Sequence, residues 1–398
     1  MKQKKVVRGL FGAAALFFIA FGLVALSGCQ EISVDTERLQ PPTIFNGQAD
    51  GRFVVGHASA TVTISDSNSG STIRYQINGG AAQTYTLPLT LTANTQIDAW
   101  VERPGLRDSA VVSKQFTLAW EKVTDLNSAR YDHSIAGSGS LVYVMGGFID
   151  ENGGMTASCE LVDLANTIPS VSPANPLNSA RAYFLAGVID GNVFAFSHTS
   201  VGVINHDFNT PNGVWAVALD MPIGGRTQTQ ATVIGSTLYA PFGVKTSTGL
   251  PLNSILEYDS SSASADTGGF SVSPYRLAVA SFGSKIFCLG GLSTKKMVRI
   301  FDVASGSIEE VITAEGLLYD STAGSAVSLS DGRIVLITGT QVQIRNTNGS
   351  WYLDLLPVPD GGREYAAAYQ YGDEIYLFGG VKPGSAVPEK SIYKFTPP

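Results

Sequence analysis

The chain is predicted to be all-β: a six-bladed β-propeller preceded by a small β-sandwich. Two observations carry that prediction. A strand–turn–strand unit, clearest from Gly362 to Gly380, recurs along the second two-thirds of the chain at intervals of 41 to 51 residues, the period of propeller blades. Ahead of it, short runs alternate apolar and polar residues between turn signals, as half-buried strands do. The composition agrees, with 43 Gly and 15% charged residues in 398.

The first residues read as a targeting segment. Lys2, Lys4, Lys5 and Arg8 precede an apolar stretch from Leu10 to Leu26 that ends in small residues. Leu26-Ser27-Gly28-Cys29 resembles the lipobox of bacterial lipoproteins. The resemblance implies a signal peptide over residues 1–28, diacylation of Cys29, and a chain held to a membrane by its N-terminus. Gln30 after the cysteine points, in the enterobacterial sorting pattern, to the outer membrane of a bacterial envelope. The rival reading keeps the apolar stretch as a transmembrane anchor. Residues 29–40 are a polar tether.

From Pro41-Pro42 to about Leu118 the runs ATVTISD, STIRYQING, TYTLPLTL, TQIDAWVE and SAVVSKQFTL are separated by turns at Ser67-Asn68-Ser69-Gly70, Asn78-Gly79-Gly80 and Pro104-Gly105. Six or seven strands in so short a span predict an immunoglobulin-like sandwich over residues 41–118. Their order resembles the small C-terminal domain of chitobiase and β-hexosaminidase-type enzymes. In those enzymes it is accessory, which implies a spacer here.

The repeats occupy residues 119–398. Arg363 stands sixteen residues before Gly379-Gly380, and Arg130 stands sixteen before Gly146-Gly147. Arg181 and Arg226 open degenerate copies ending in Ser197-His198 and Phe242-Gly243. Counting back from Gly290-Gly291 puts Pro274 in the arginine frame, with Arg276 two residues late. Counting back from Thr338-Gly339 puts Thr322 there. The glycine pairs suit close backbone approach and positive φ. These features resemble the kelch repeat, including Tyr258-Asp259, Phe301-Asp302, Trp215 and Trp351 at their places in the pattern. Trp120 precedes Arg130 as Trp215 precedes Arg226, while the chain ends on a third strand, Ser391 to Phe395. The segment 119–124 is therefore expected to supply the outer strand of the last blade, closing the ring and covering two sheet edges.

Loss of residues 1–28 removes four basic residues and no acidic one, taking the formal charge from −7 to −11. Nucleic acid is then an unsuitable partner, since phosphate binding needs a basic face. Cys159 and Cys288 fall in the first and fourth blades, too far apart for a disulfide, and are expected to be buried thiols.

The innermost strands are expected to begin at the arginine frame, placing Arg130, Arg181, Arg226 and Arg363 around one entrance. There the kelch resemblance implies recognition of an acidic peptide or a carboxylated sugar, with Tyr131, Tyr183, Tyr275 and Tyr365 as stacking faces. With Pro274 and Thr322 in the frame, the pocket would lean toward the first, second, third and sixth blades. The alternative is that each arginine pairs with a nearby carboxylate such as Asp132 or Glu364 and only holds blades together. Catalytic candidates near the frames are Asp132, His133, Glu364 and His198. A sialic acid mutarotase is also a six-bladed kelch propeller, which makes anomer interconversion the enzymatic alternative. Copper chemistry of the galactose oxidase kind would need two His, two Tyr and a Cys–Tyr crosslink, and four His in all with Cys159 in an outer strand argue against it. His57 and His206 are in no ligand spacing, and Asp150-Glu151-Asn152-Gly153-Gly154 is a solvated turn before it is a calcium loop. The sequence thus favours a monomeric, envelope-anchored binding or scaffold module over an enzyme. Its expected ligand is a protein or carbohydrate at the propeller mouth, with no cofactor and no metal.

Overall fold

The computed structural model describes residues 38–196, 203–207, 213–219, 225–259, 263–268, 270–311 and 316–398. Cys29 and the leader, and His198 in the second blade's diglycine place, lie outside them, as does the side chain of His206.

Two sheets face each other over residues 43–118. One joins Thr43–Phe45, Thr61–Ser65 and Leu89–Thr90; the other runs Arg52–Phe53, Val112–Leu118, Thr95–Glu102, Thr72–Ile77 and Gln83–Thr84. Strand Thr61–Ser65 shows the strict alternation of a half-buried strand, and Val62 and Ile64 meet Ile97, Ala99 and Phe116 in a shared core. The sandwich is docked on the propeller. The Arg52 Nη1 donates to Asp354 Oδ2 at 2.8 Å and to the Thr396 carbonyl at 3.1 Å. Val54 and Ala119 pack in the same cluster as Leu356, Leu377 and Phe395 of the last two blades.

Six four-stranded antiparallel sheets follow among the described residues. Their innermost strands are Ser134–Ser138, Ala186–Ile189, Thr232–Ile234, Ala278–Phe282, Ser325–Ser328 and Ala367–Tyr371. Each adjoins the next, and the sixth adjoins the first, so the sheets form a closed six-bladed propeller. The sixth sheet takes its outer strand from the other end of the chain. Trp120–Asp125 pairs antiparallel with Ser391–Phe395, with Trp120 opposite Phe395 and Asp125 opposite Ser391. Trp120 is 3% exposed and stacks at 4.6 Å on Phe395.

Large side chains fill the wedges between blades. Trp215 lies with Tyr143 and Phe184 between the first two, and Tyr258 lies with Phe194 and Phe196 between the next two. Cys159 and Cys288 are buried and free, each thiol pushed up to about 12 by burial. The diglycine has a specific reason. Gly147 donates its N–H to the Arg181 carbonyl of the next blade at 2.8 Å, and a Cβ on Gly146 would come 2.5 Å from that oxygen. Gly291 makes the same bond to Ser321 and Gly380 to Arg130. This pattern puts Ser321 rather than Thr322 in the frame of the fifth blade, a one-residue correction. It arises because the turn between Ser325–Ser328 and Ile334–Thr338 holds one residue more than the two-residue turn between Ser134–Ser138 and Leu141–Met145.

Candidate binding cavity at the propeller centre

The frame residue is not the start of the inner strand. Two positions after each frame residue stands one with positive φ: Asp132, Tyr183, Gln228, Arg276, Ala323 and Tyr365, all between 48° and 57°. Non-glycine residues enter this left-handed region at a cost of about 1 kcal/mol or more. Six at equivalent places require a common compensation, and the backbone shows it. Tyr183 donates its N–H to the carbonyl of Asp132, Gln228 to Tyr183, Arg276 to Gln228, Ala323 to Arg276, Tyr365 to Ala323 and Asp132 to Tyr365, over 2.6 to 3.3 Å. The six bonds make a closed belt around the channel, and the six side chains stand on its rim.

This belt corrects the expectation for the arginines. Arg130, Arg226 and Arg363 are 0%, 1% and 2% exposed and Arg181 is 5% exposed; none lines the cavity. Arg130 runs into its own blade, where Nη1 donates to the Gly146 and Ser158 carbonyls and Nη2 meets Glu160 Oε1 at 2.6 Å. Arg226 donates to the carbonyls of Ala240, Phe242 and Ser254. Arg363 reaches Ser391 Oγ, and Arg181 reaches the Phe196 carbonyl. Arg130, Arg181 and Arg226 therefore cap main-chain carbonyls, while Arg363 donates to the Gly362 carbonyl and faces the loop carboxylates of Asp360 and Glu389 at 3.5 and 3.9 Å. The carboxylate partner of Arg130 is Glu160, not Asp132.

The cavity itself draws its lining from all six blades and does not lean toward four. Its walls are small residues such as Ala186, Ala326 and Ala367, and its polar groups include Asp132, His133, Tyr183, Gln228, Gln230, Arg276 and Tyr365. Arg276 is the one lysine or arginine among the described lining residues. Its Nη1 donates to the Tyr365 hydroxyl at 2.6 Å, its Nη2 to the Tyr183 hydroxyl at 3.3 Å, and its Nε to Gln228 Oε1 at 3.2 Å. The guanidinium also lies 5.2 and 5.5 Å from the centres of the Tyr365 and Tyr183 rings. Three of its five donors are thus used for positioning, and two remain for a ligand.

Beside it, Asp132 accepts a hydrogen bond from the Tyr183 hydroxyl, while its Oδ2 is shut off from solvent without a partner. Burial raises its carboxyl to about 7 against the opposing pull of Arg276. Burial likewise raises the Tyr183 and Tyr365 phenols. Below the belt, Gln230 bridges the channel. Its Nε2 donates to the Gly324 carbonyl at 2.9 Å and its Oε1 accepts from the Val279 N–H at 3.1 Å. His133 is buried behind Asp132 with neither ring nitrogen paired, its pKa depressed to about 3 by burial and Arg130.

Of the predicted tyrosines, Tyr183 and Tyr365 line the cavity. Tyr131 sits at its rim, 6.3 Å from Tyr365 and 5.0 Å from Phe148, which in turn stands 5.1 Å from Tyr183. Tyr275 pairs with Leu292 outside the lining. The acidic loop closes on itself, Asp150 Oδ1 accepting from the N–H groups of Asn152 and Gly154. Sequence reasoning did not assign Arg276, Gln228 or Gln230 to the site. The signal was present in Arg276 standing two residues past its frame, which is the rim position of every blade.

Compared with known proteins, residues 54–113 match the family model of the chitobiase/beta-hexosaminidase C-terminal domain, the sandwich. No curated protein sequence matches the chain. Among solved structures, that of YjhT is similar, with a TM-score of 0.55 at 14% identity over 68% of this chain and 95% of that one. At that identity the likeness is one of fold.

Proposed function

We propose that the propeller binds a small carboxylate-bearing ligand, a carboxylated sugar or an acidic peptide end, in its central cavity. The observation that carries this reading is Arg276, fixed between two tyrosine hydroxyls with donors to spare in a concave, small-walled space. A pre-oriented guanidinium suits a planar carboxylate, and the arc of Tyr131, Phe148, Tyr183 and Tyr365 offers faces for a sugar ring. The Leu26-Ser27-Gly28-Cys29 sequence supports a lipid-anchored envelope protein, with the docked sandwich as a rigid stalk between lipid and propeller. Calorimetry against uronic acids, sialic acid and their neutral analogues tests the reading. Binding confined to the acids and lost in Arg276→Ala is the expected result.

A second reading is anomer interconversion of such a sugar. It is favoured by Asp132, whose carboxyl near 7 is suited to exchange a proton with a ring or anomeric oxygen at neutral pH. Magnetisation exchange between sialic acid anomers, faster with the protein than without it and lost in Asp132→Asn, would establish this reading.

A further inference from the structure

The cavity contains an oddity that carboxylate binding by Arg276 does not use: Asp132 Oδ2, buried, unpaired and on the same rim. An acidic side chain beside a site for an anion is counterproductive while it is ionised. It offsets the arginine and repels the ligand. As a neutral acid it does neither, and because the Tyr183 hydroxyl already donates to the side chain, the proton falls to the enclosed Oδ2. That proton then has no acceptor among the described side chains.

Resting on the carboxylate-binding reading, we propose that Asp132 serves the cavity as a proton-bearing, uncharged neighbour of Arg276, its proton held on the enclosed Oδ2, so that the ligand's carboxylate is bound together with one proton. The balance is simple. One proton passes from solvent to Asp132 Oδ2, no covalent bond of the ligand changes, and the cavity gains one anion and one proton.

The neighbours of Asp132 leave it as the group that titrates here. Tyr131 on its own segment, Tyr183 from the second blade and Tyr365 from the sixth all have phenols raised by burial. His133, next in sequence, is held neutral down to about 3. Arg276 from the fourth blade is a guanidinium, charged at every pH of interest. Asp150 lies toward Tyr131, away from the cavity lining. Glu364, behind Tyr365, is the one other carboxyl nearby that burial raises, and it is outside the lining.

The linkage fixes the sign. Below about pH 7 Asp132 already holds its proton and affinity is level. Above it, each bound anion must recruit one, so affinity falls by about tenfold per pH unit until the bound-state pKa is passed. The experiment titrates full-length protein with glucuronate between pH 5.5 and 8.5, using calorimetry in two buffers of different ionisation heat. Expected are a unit slope, uptake of one proton near pH 8, a level profile for Asp132→Asn, and an unchanged slope for Glu364→Gln.

Glucuronate binding that is level with pH in the native protein, or that keeps its slope in Asp132→Asn, overturns the proposal while leaving carboxylate binding intact. A second arm needs no ligand: carbon-13 titration of the Asp132 carboxyl. A midpoint near 4 overturns the proposal whatever glucuronate does; a midpoint near 7 without glucuronate binding instead faults the choice of ligand class and removes the proposed coupling with it.

Discussion

The Asp132 N–H donates to the Tyr365 carbonyl at 3.0 Å, joining the first blade to the last across 233 residues of sequence. This bond completes the six-membered backbone belt. It also sets two rim side chains next to one another at the cavity mouth. The same junction is sealed at the outside by Trp120–Asp125 on Ser391–Phe395. Ring closure is therefore held at both the innermost and outermost strands of the seam.

Trp120 should be the most costly single residue in that outer seal. Trp120→Ala removes the stack on Phe395 and opens a void among Val335, Leu377 and Tyr393. A loss of about 3–5 kcal/mol is expected for such a truncation, measurable as a fall in the urea midpoint. A loss below 1 kcal/mol would show that the outer strand does little for closure.

The Arg130–Glu160 pair is a buried ion pair that also stitches a loop. Glu160 Oε2 accepts from the Asn127 N–H at 2.6 Å, and Oε1 takes both Ser128 and Arg130. Glu160→Ala leaves an uncompensated guanidinium, for which the expected cost is about 3–5 kcal/mol. Replacing both members, Arg130→Met with Glu160→Leu, should cost less than the single change, a comparison that chemical denaturation of the three chains decides.

The sandwich should unfold with the propeller and not before it. Arg52 ties the two through Asp354, whose side chain is 1% exposed, and through the Thr396 carbonyl. Calorimetry of the native chain is expected to show one transition, and Asp354→Ala to split off an earlier one for the sandwich. Two transitions in the native chain would mean that this contact couples nothing.

His133 predicts an acid-side loss of stability. Its folded-state pKa is depressed from 6.5 to about 3, so the unfolded chain binds a proton that the folded chain refuses. The stability it carries is complete above pH 6.5 and is lost as pH falls toward 3. Asp132, raised from 3.8 to about 7, acts oppositely: its contribution is complete below pH 3.8 and declines as pH rises to 7. In an Asp132→Asn background the slope between pH 6 and 4 should therefore steepen, and adding His133→Phe should flatten it. Thermal midpoints across that range give the answer.

Much of this architecture is written in local residue order. The six-blade count and the pairing of the Trp120 strand with the C-terminal strand follow from glycine pairs and from a final blade one strand short. A blade repeats whatever its neighbours do, and an unpaired edge has few places to go. The chemistry of the centre was not legible in the same way. Arg130 and Arg226 recur at the frame because strand-end carbonyls need a buried donor, a demand that looks identical in sequence to a ligand-binding ring. Which side chain meets the channel depends on the left-handed turn two residues further on, and that turn is stabilised only when six blades exchange backbone hydrogen bonds around a closed circle. The sequence alone determined the ring and its seam. Only the tertiary structure placed Arg276, Asp132, Tyr183 and Tyr365 on one rim, because the bonds that orient them join residues from different blades.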